Sequence, residues 1–187
     1  MANLRLFVAV PLPDPLRGEL AAVAERLAGD GRVVPAANLH VTVHFFGGVD
    51  AAAAAPLEAA LRDAVAPLSP FALAVAGVAP GPRRRPRMLW ATFAPDARFR
   101  DLARHVHEAA APFAPEARSP RGTAAPHVTL VRHRGTAPNG VADVSGSVPV
   151  AAVELVSSRL GPGGAVYEVL ARLPLEATAP VDDREPL

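Results

Sequence analysis

An α+β fold of mostly antiparallel sheets backed by helices is what this chain predicts. Two observations carry the prediction. Strand-like and helix-like patterns alternate along the 187 residues, and two strand-like segments echo one another, His40-Val41-Thr42-Val43 and His127-Val128-Thr129-Leu130. The order is strand, helix, His strand, helix in the first half, then strand pair, helix, His strand, strand pair in the second. Each half therefore supplies one His strand to a common groove.

The elements follow from local patterning. Leu4 to Val10 reads as a buried strand ended by Pro11 and Pro13, and Pro15 to Ala28 as an amphipathic helix with Leu16, Leu20, Val23 and Leu27 on one side. Leu39 to Phe46 is the first His strand, closed by Gly47-Gly48. Asp50 to Ala66 reads as helical, with Leu57, Leu61 and Val65 at i, i+4, i+8 and Pro56 in its first turn. Its Ala51 to Ala55 run needs no functional reading, since Ala is the best helix former. Phe71 to Val78 and Met88 to Phe93 are strands joined by the Pro- and Arg-rich loop Ala79 to Arg87, and a third helix is expected from Asp96 to about Phe113. The turn-prone Ser119-Pro120-Arg121-Gly122 precedes the second His strand, Pro126 to Arg132. Val148 to Ser157 and Ala165 to Leu173 read as strands around Gly161-Pro162-Gly163-Gly164. Residues 1–177 are expected to form one domain, and 178–187 a flexible tail.

Composition excludes more chemistry than it suggests. There is no Cys, which removes disulfides, thiol nucleophiles and thiolate zinc sites. There is no Lys either, since all 19 basic residues are Arg, so a lysyl-nucleotide intermediate, a Schiff base and a Lys-containing P-loop are closed to this chain. Abundant Ala, Arg and Pro fit a G+C-rich genome, and a net charge of +1 means that nucleic-acid affinity must come from a local patch. No apolar run reaches the roughly 20 residues of a membrane span and no signal-like segment opens the chain. A cytoplasmic monomer without membrane association is expected.

Alternate side chains of a strand point to opposite faces, so each motif presents its His and Thr together and buries the apolar pair. With 6 His and 6 Thr in the chain, two such tetrads exceed what chance supplies, and a shared cleft is the better reading. An imidazole pKa of about 6.5 allows one His to accept a proton from water while the other donates one to a leaving oxygen. Thr hydroxyls on the same face suit non-bridging phosphoryl oxygens. The constellation fits metal-independent phosphodiester hydrolysis. Neither motif contains the Asp or Glu expected of a Mg²⁺ or Mn²⁺ site, so no metal and no cofactor is expected.

The sequence resembles the RNA 2′,3′-cyclic phosphodiesterases, also called 2′-5′ RNA ligases, of the 2H phosphoesterase superfamily. The likeness runs from Arg5-Leu6-Phe7-Val8-Ala9-Val10 with Pro13, through Asn38-Leu39-His40-Val41-Thr42-Val43 with Phe45 and Gly47, to Arg87-Met88-Leu89-Trp90. It continues in Pro126-His127-Val128-Thr129-Leu130 with Arg132, and in Leu155, Ser158, Leu160, Gly163 and Tyr167. The resemblance implies a bilobal fold of two pseudo-symmetric lobes around a central cleft. It also implies cleavage of RNA 2′,3′-cyclic phosphate ends to a 2′-phosphate, with cyclic nucleotides as small substrates and ATP-independent 2′-5′ ligation as a reverse activity. His40 would then be the proton donor to O3′, His127 the proton acceptor that activates water, and Thr42 and Thr129 the phosphate holders. Two departures bear on substrate preference: His44 stands where many relatives carry Lys or Arg, and Ala125 replaces a bulkier residue.

Several residues admit two readings. His44 shares the face of His40 and Thr42 under strict alternation, which fits either a substrate contact or a structural role at the rim. Arg132 lies an odd step from Thr129 and points away unless a bulge re-aims it toward phosphate. Arg83, Arg84 and Arg85, with Arg87, form a dense basic run that is either a solvated loop or an RNA contact. Trp90 and Phe93 read as core or as a stacking edge, and Tyr167 as a cleft residue or part of the core. His105 and His107, two apart on a helix, face different directions and are poor joint metal ligands. Two further functions remain open: a phosphodiesterase for another 2′-5′ linked or cyclic nucleotide, and an RNA- or nucleotide-binding module without turnover.

Overall fold

The computed structural model describes residues 3–82, 84–115, 117, 125–136, 140–161 and 164–176. These residues form β1 (Asn3–Pro11), α1 (Asp14–Leu27), β2 (Arg32–Val33), β3 (His40–Asp50), α2 (Ala54–Val65), β4 (Phe71–Gly81) and β5 (Met88–Phe93). They continue as α3 (Ala97–Ala110), β6 (His127–Arg132), β7 (Ser147–Val150), β8 (Ala152–Gly161) and β9 (Gly164–Pro174). A four-stranded sheet in the order β3-β1-β8-β9 faces a five-stranded sheet in the order β2-β6-β5-β4-β7, and the strand pairs of both are antiparallel. The fold is the two-sheet α+β arrangement that the alternating pattern predicts.

Each half contributes a strand, a helix and a His strand: β1-α1-β3 and β5-α3-β6. The helices then cross over. α1 packs on β6 of the other half, and α3 packs on β3 and α2. In α3 the stripe Phe99, Leu102, Ala103, Val106 and Ala110 is buried, and Asp96 caps the helix by accepting from the amides of Arg98 and Phe99. One continuous core unites both sheets and all three helices. β1 is buried on both faces: Leu6, Val8 and Val10 enter that core, while Phe7 and Ala9 join Val156 and Tyr167 in a small apolar layer on the other side.

Three expectations need correction. The segment Val148 to Ser157 is two strands, not one. The chain steps between sheets at Ala151, with β7 pairing β4 and β8 pairing β1 and β9, and burial of both Ala152 and Val153 breaks the alternation there. The first His strand does not close at Gly47-Gly48 but runs on to Asp50, because those glycines pair with Leu6 and Arg5 of β1. The helix expected from Asp50 opens as a 3₁₀ turn over Ala51–Ala53, with Asp50 accepting from the amide of Ala52, before α2 begins. The predicted turn 119–122 and tail 178–187 lie outside the described residues. Among the described residues no helix is long and apolar enough to cross a membrane.

Candidate active site

The two His strands come into contact, and both break the period-two rule at the same place. In β3, Thr42 pairs with Ala9 and His44 with Val8, so Val43 is an extra, unpaired residue. In β6, Thr129 pairs with Trp90 and Val131 with Leu89, so Leu130 is extra in the same way. A β-bulge one residue after each Thr therefore reverses the phase of the residues that follow it; in β3 a second bulge, at Phe46, shifts the phase again before the glycines. His44 and Val131 turn inward, and Phe45 and Arg132 turn out to the cleft face.

These bulges settle two ambiguous residues. Arg132 lines the cleft with His40, Thr42, His127 and Thr129. His44 does not, and its expected place as a substrate contact is corrected. It is buried on the reverse side of β3, its Nε2 lies 3.3 Å from Nδ1 of His107 on α3, and its ring packs against Phe46. Burial first, and then the neighbouring charge of His107, push its pKa down to about 4.

The motif histidines are held alike. Nδ1 of His40 lies 2.8 Å from the carbonyl oxygen of Asn38, and Nδ1 of His127 lies 3.1 Å from that of Ala125. A carbonyl only accepts, so Nδ1 is the donor in both rings and Nε2 is left free to exchange protons. In His40 that Nε2 lies 3.1 Å from the Thr42 hydroxyl. The Asn38 side chain also donates to the Ala165 carbonyl of β9 at 2.8 Å, tying the segment before His40 to the opposite edge of its sheet.

Aromatic rings fix the imidazoles from behind. Phe7 lies 4.9 Å from His40, and Tyr167 meets His40 edge-on at 5.4 Å, which places Tyr167 in the cleft. Trp90 stacks on His127 and is a neighbour of that cleft imidazole rather than simple core. Gly81 makes this possible, because a Cβ there would collide with the indole. Phe93, the other aromatic left open, is buried in the core.

The cleft has a volume of about 680 Å³ and is cationic: Arg5, Arg32 and Arg132 line it, with no Asp or Glu among the described residues that do so. Burial is the main force holding both motif histidines below the ordinary imidazole pKa. The carbonyl partners oppose it, and the positive charge of Arg132 adds to it for both rings. The cleft thus favours two neutral imidazoles at pH 7, a balance that the charge of a bound anion would reverse. Among the described residues no three His, Asp or Glu side chains converge as metal ligands do.

The basic loop is elsewhere. Arg84 and Arg85 are exposed and do not line the cleft, and Arg83 lies outside the described residues. The cations that do reach the cleft come from separated strands. Arg5, Arg32, Phe45 and Ser158 carry no site role that the sequence alone assigns; Phe45 needed the bulge, and Arg32 lies on a two-residue strand too short to show a pattern.

Known proteins share both the sequence pattern and the architecture. The family model described as LigT like Phosphoesterase matches residues 10–90. The chain is 30% identical over 179 residues to a protein of Methanothermobacter thermautotrophicus named RNA 2′,3′-cyclic phosphodiesterase, covering 88% of this chain and 95% of that one. It is 32% identical over 147 residues to a protein of the same name from Geobacillus stearothermophilus, covering 74% of this chain and 45% of that one. Among solved structures, a Thermus thermophilus protein superposes with a TM-score of 0.81 at 28% identity, over 94% of this chain and 100% of the other. E. coli LigT complexed with 3′-AMP superposes with a TM-score of 0.80 at 25% identity, over the same shares.

Proposed function

The chain belongs to the LigT-like phosphoesterase family, and from that membership we propose that it opens the 2′,3′-cyclic phosphate of RNA ends to a 2′-phosphate by acid–base catalysis between His40 and His127. One observation carries this reading: two imidazoles, each with Nδ1 committed to a backbone carbonyl, share one arginine-lined cleft with two Thr side chains. The related proteins named RNA 2′,3′-cyclic phosphodiesterase and the LigT structure holding 3′-AMP support the choice of substrate.

Water attacks phosphorus while Nε2 of His127 takes its proton, and the P–O3′ bond breaks as Nε2–H of His40 delivers a proton to O3′. The phosphate stays on O2′. His40 must be imidazolium to donate from Nε2, because Nδ1–H stays on the Asn38 carbonyl. The substrate's negative charge supplies the stabilisation that burial and Arg132 withhold from that cation. Thr42, Thr129 and Arg132 are assigned to the non-bridging oxygens, where charge concentrates during attack. A 5′-hydroxyl in place of water turns the same steps into 2′-5′ ligation without ATP.

The test is incubation with uridine 2′,3′-cyclic phosphate, and with an oligonucleotide bearing the same end, in excess chelator. Ring opening to a 2′-phosphate is expected on both. A 3′-phosphate product contradicts O3′ departure, and binding without ring opening supports a non-catalytic binding module instead.

A further inference from the structure

The arginines that line the cleft are not equivalent. Arg132 is the one whose charge reaches both histidines. Arg32 is paired directly opposite Arg132 in the β2–β6 ladder, one strand farther out, and both side chains line the cleft. Two guanidinium groups carried opposite one another on neighbouring strands, whose backbones lie about 4.8 Å apart, would repel each other unless an anion is to be shared or two anions are to be held. Arg32 has no carboxylate partner among the described residues, and the cleft offers none.

Arg32 is also held in place. Gly31 lies flush on the imidazole of His133, so closely that a Cβ would collide with the ring. Nδ1 of that buried His133 lies 3.3 Å from the Asp30 carboxylate, and the Gly31 amide donates to the Ala28 carbonyl at 2.8 Å. On the other side, Gly164 leaves room for the guanidinium: a Cβ there would approach Nη1 of Arg32 to 3.3 Å. The turn entering β2 is thus fastened to the end of β6, and the cation it carries lines the cleft from a braced strand.

We propose that Arg32 binds the phosphodiester on the 5′ side of the terminal nucleotide, one sugar away from the reacting phosphate. The site thereby reads a polynucleotide end rather than a lone cyclic nucleotide. This rests on the phosphodiesterase reading above. Arg5 is a weaker candidate for the role, because its guanidinium already lies over the Phe45 ring, 4.9 Å from the centroid.

The experiment removes the same charge from protein and ligand. Two uridine dinucleotides ending in 2′,3′-cyclic phosphate are compared, one with a phosphodiester between its nucleosides and one with an uncharged methylphosphonate. For the wild type, kcat/KM should favour the phosphodiester by roughly 10-fold, the effect of one charge-assisted contact. In Arg32→Gln that preference should collapse toward unity, and Arg32→Lys should restore part of it. A preference that persists in Arg32→Gln, or that is absent in the wild type, overturns the proposal. Binding of the same two dinucleotides ending in an unreactive 3′-phosphate is measured alongside. If the wild type opens no cyclic phosphate, the phosphodiesterase reading fails, while this binding ratio still decides the role of Arg32.

Discussion

The indole of Trp90 lies on the imidazole of His127 with ring centroids 4.0 Å apart and planes 25° from parallel. Trp90 also pairs across the β5–β6 ladder with Thr129, so one residue neighbours both the His and the Thr of the second motif. His127 is thereby fixed by the Ala125 carbonyl at Nδ1 and by an aromatic face on its plane, leaving little freedom in χ1 or χ2. Trp90→Leu should lower kcat by roughly 10- to 100-fold with a much smaller change in KM, because the base is misplaced while the phosphate contacts remain. Gly81→Ala, which pushes the indole off its seat, should reproduce the kcat defect. Steady-state kinetics on the cyclic mononucleotide checks both, and a loss confined to KM would contradict a positioning role.

Removing either proton carrier should cost more. His40→Ala and His127→Ala are expected to lower turnover by roughly 10²–10⁴-fold with circular dichroism and melting transitions close to wild type. Thr42→Ala and Thr129→Ala should be milder and raise KM in part. Near-normal turnover in either His variant would falsify the two-histidine mechanism.

The pH profile follows from the electrostatics of the cleft. Burial and the Arg132 charge both disfavour imidazolium, so both folded pKa values lie below the ordinary value. The free-enzyme profile, kcat/KM, should therefore be a bell with its maximum on the acid side of about 6.5, its limbs belonging to the coupled pair. The kcat profile should lie at higher pH, since bound phosphate favours the cation. Arg132→Gln removes a positive charge, so both limbs of kcat/KM should move upward in pH while turnover falls. Limbs that stay in place would show that Arg132 is not the charge acting on the pair.

His44 gives a stability prediction of definite sign. Its folded pKa of about 4 lies below the value near 6.5 in the unfolded chain, so between these pH values the unfolded state binds a proton that the folded state refuses. Stability conferred by the neutral buried ring is complete above 6.5 and declines as pH falls toward 4, by up to about 1.4 kcal/mol per pH unit from this group. His44→Gln keeps a hydrogen-bonding partner for His107 without the titration. Urea unfolding at pH 6.5, 5.5 and 4.5 should show a shallower loss in the variant, and parallel slopes would exclude His44 as the source.

Much of this was legible in the residues. Alternation placed His and Thr of each motif on one face, and the apolar stripes of the three helices were visible from their spacing. The two bulges were not, because Val43 and Leu130 are ordinary strand residues and the irregularity exists only relative to a partner strand. That one missing fact misplaced His44 and hid Phe45, and it left Arg132 undecided. Arg32 and Asn38 escaped for another reason: their roles depend on contacts with residues about 100 or more positions away, Arg132 in one case and Ala165 in the other. The break at Ala151 was invisible because two strands in different sheets can keep a nearly continuous apolar pattern.

The exchange of helices between the halves means that neither His strand rests on its own half alone. α1 grows out of the strand that pairs with the His40 strand, yet it supports the strand of His127; α3 returns the favour. Truncation to either half is therefore expected to abolish folding and ring opening together, because each His strand packs against a helix from the other half.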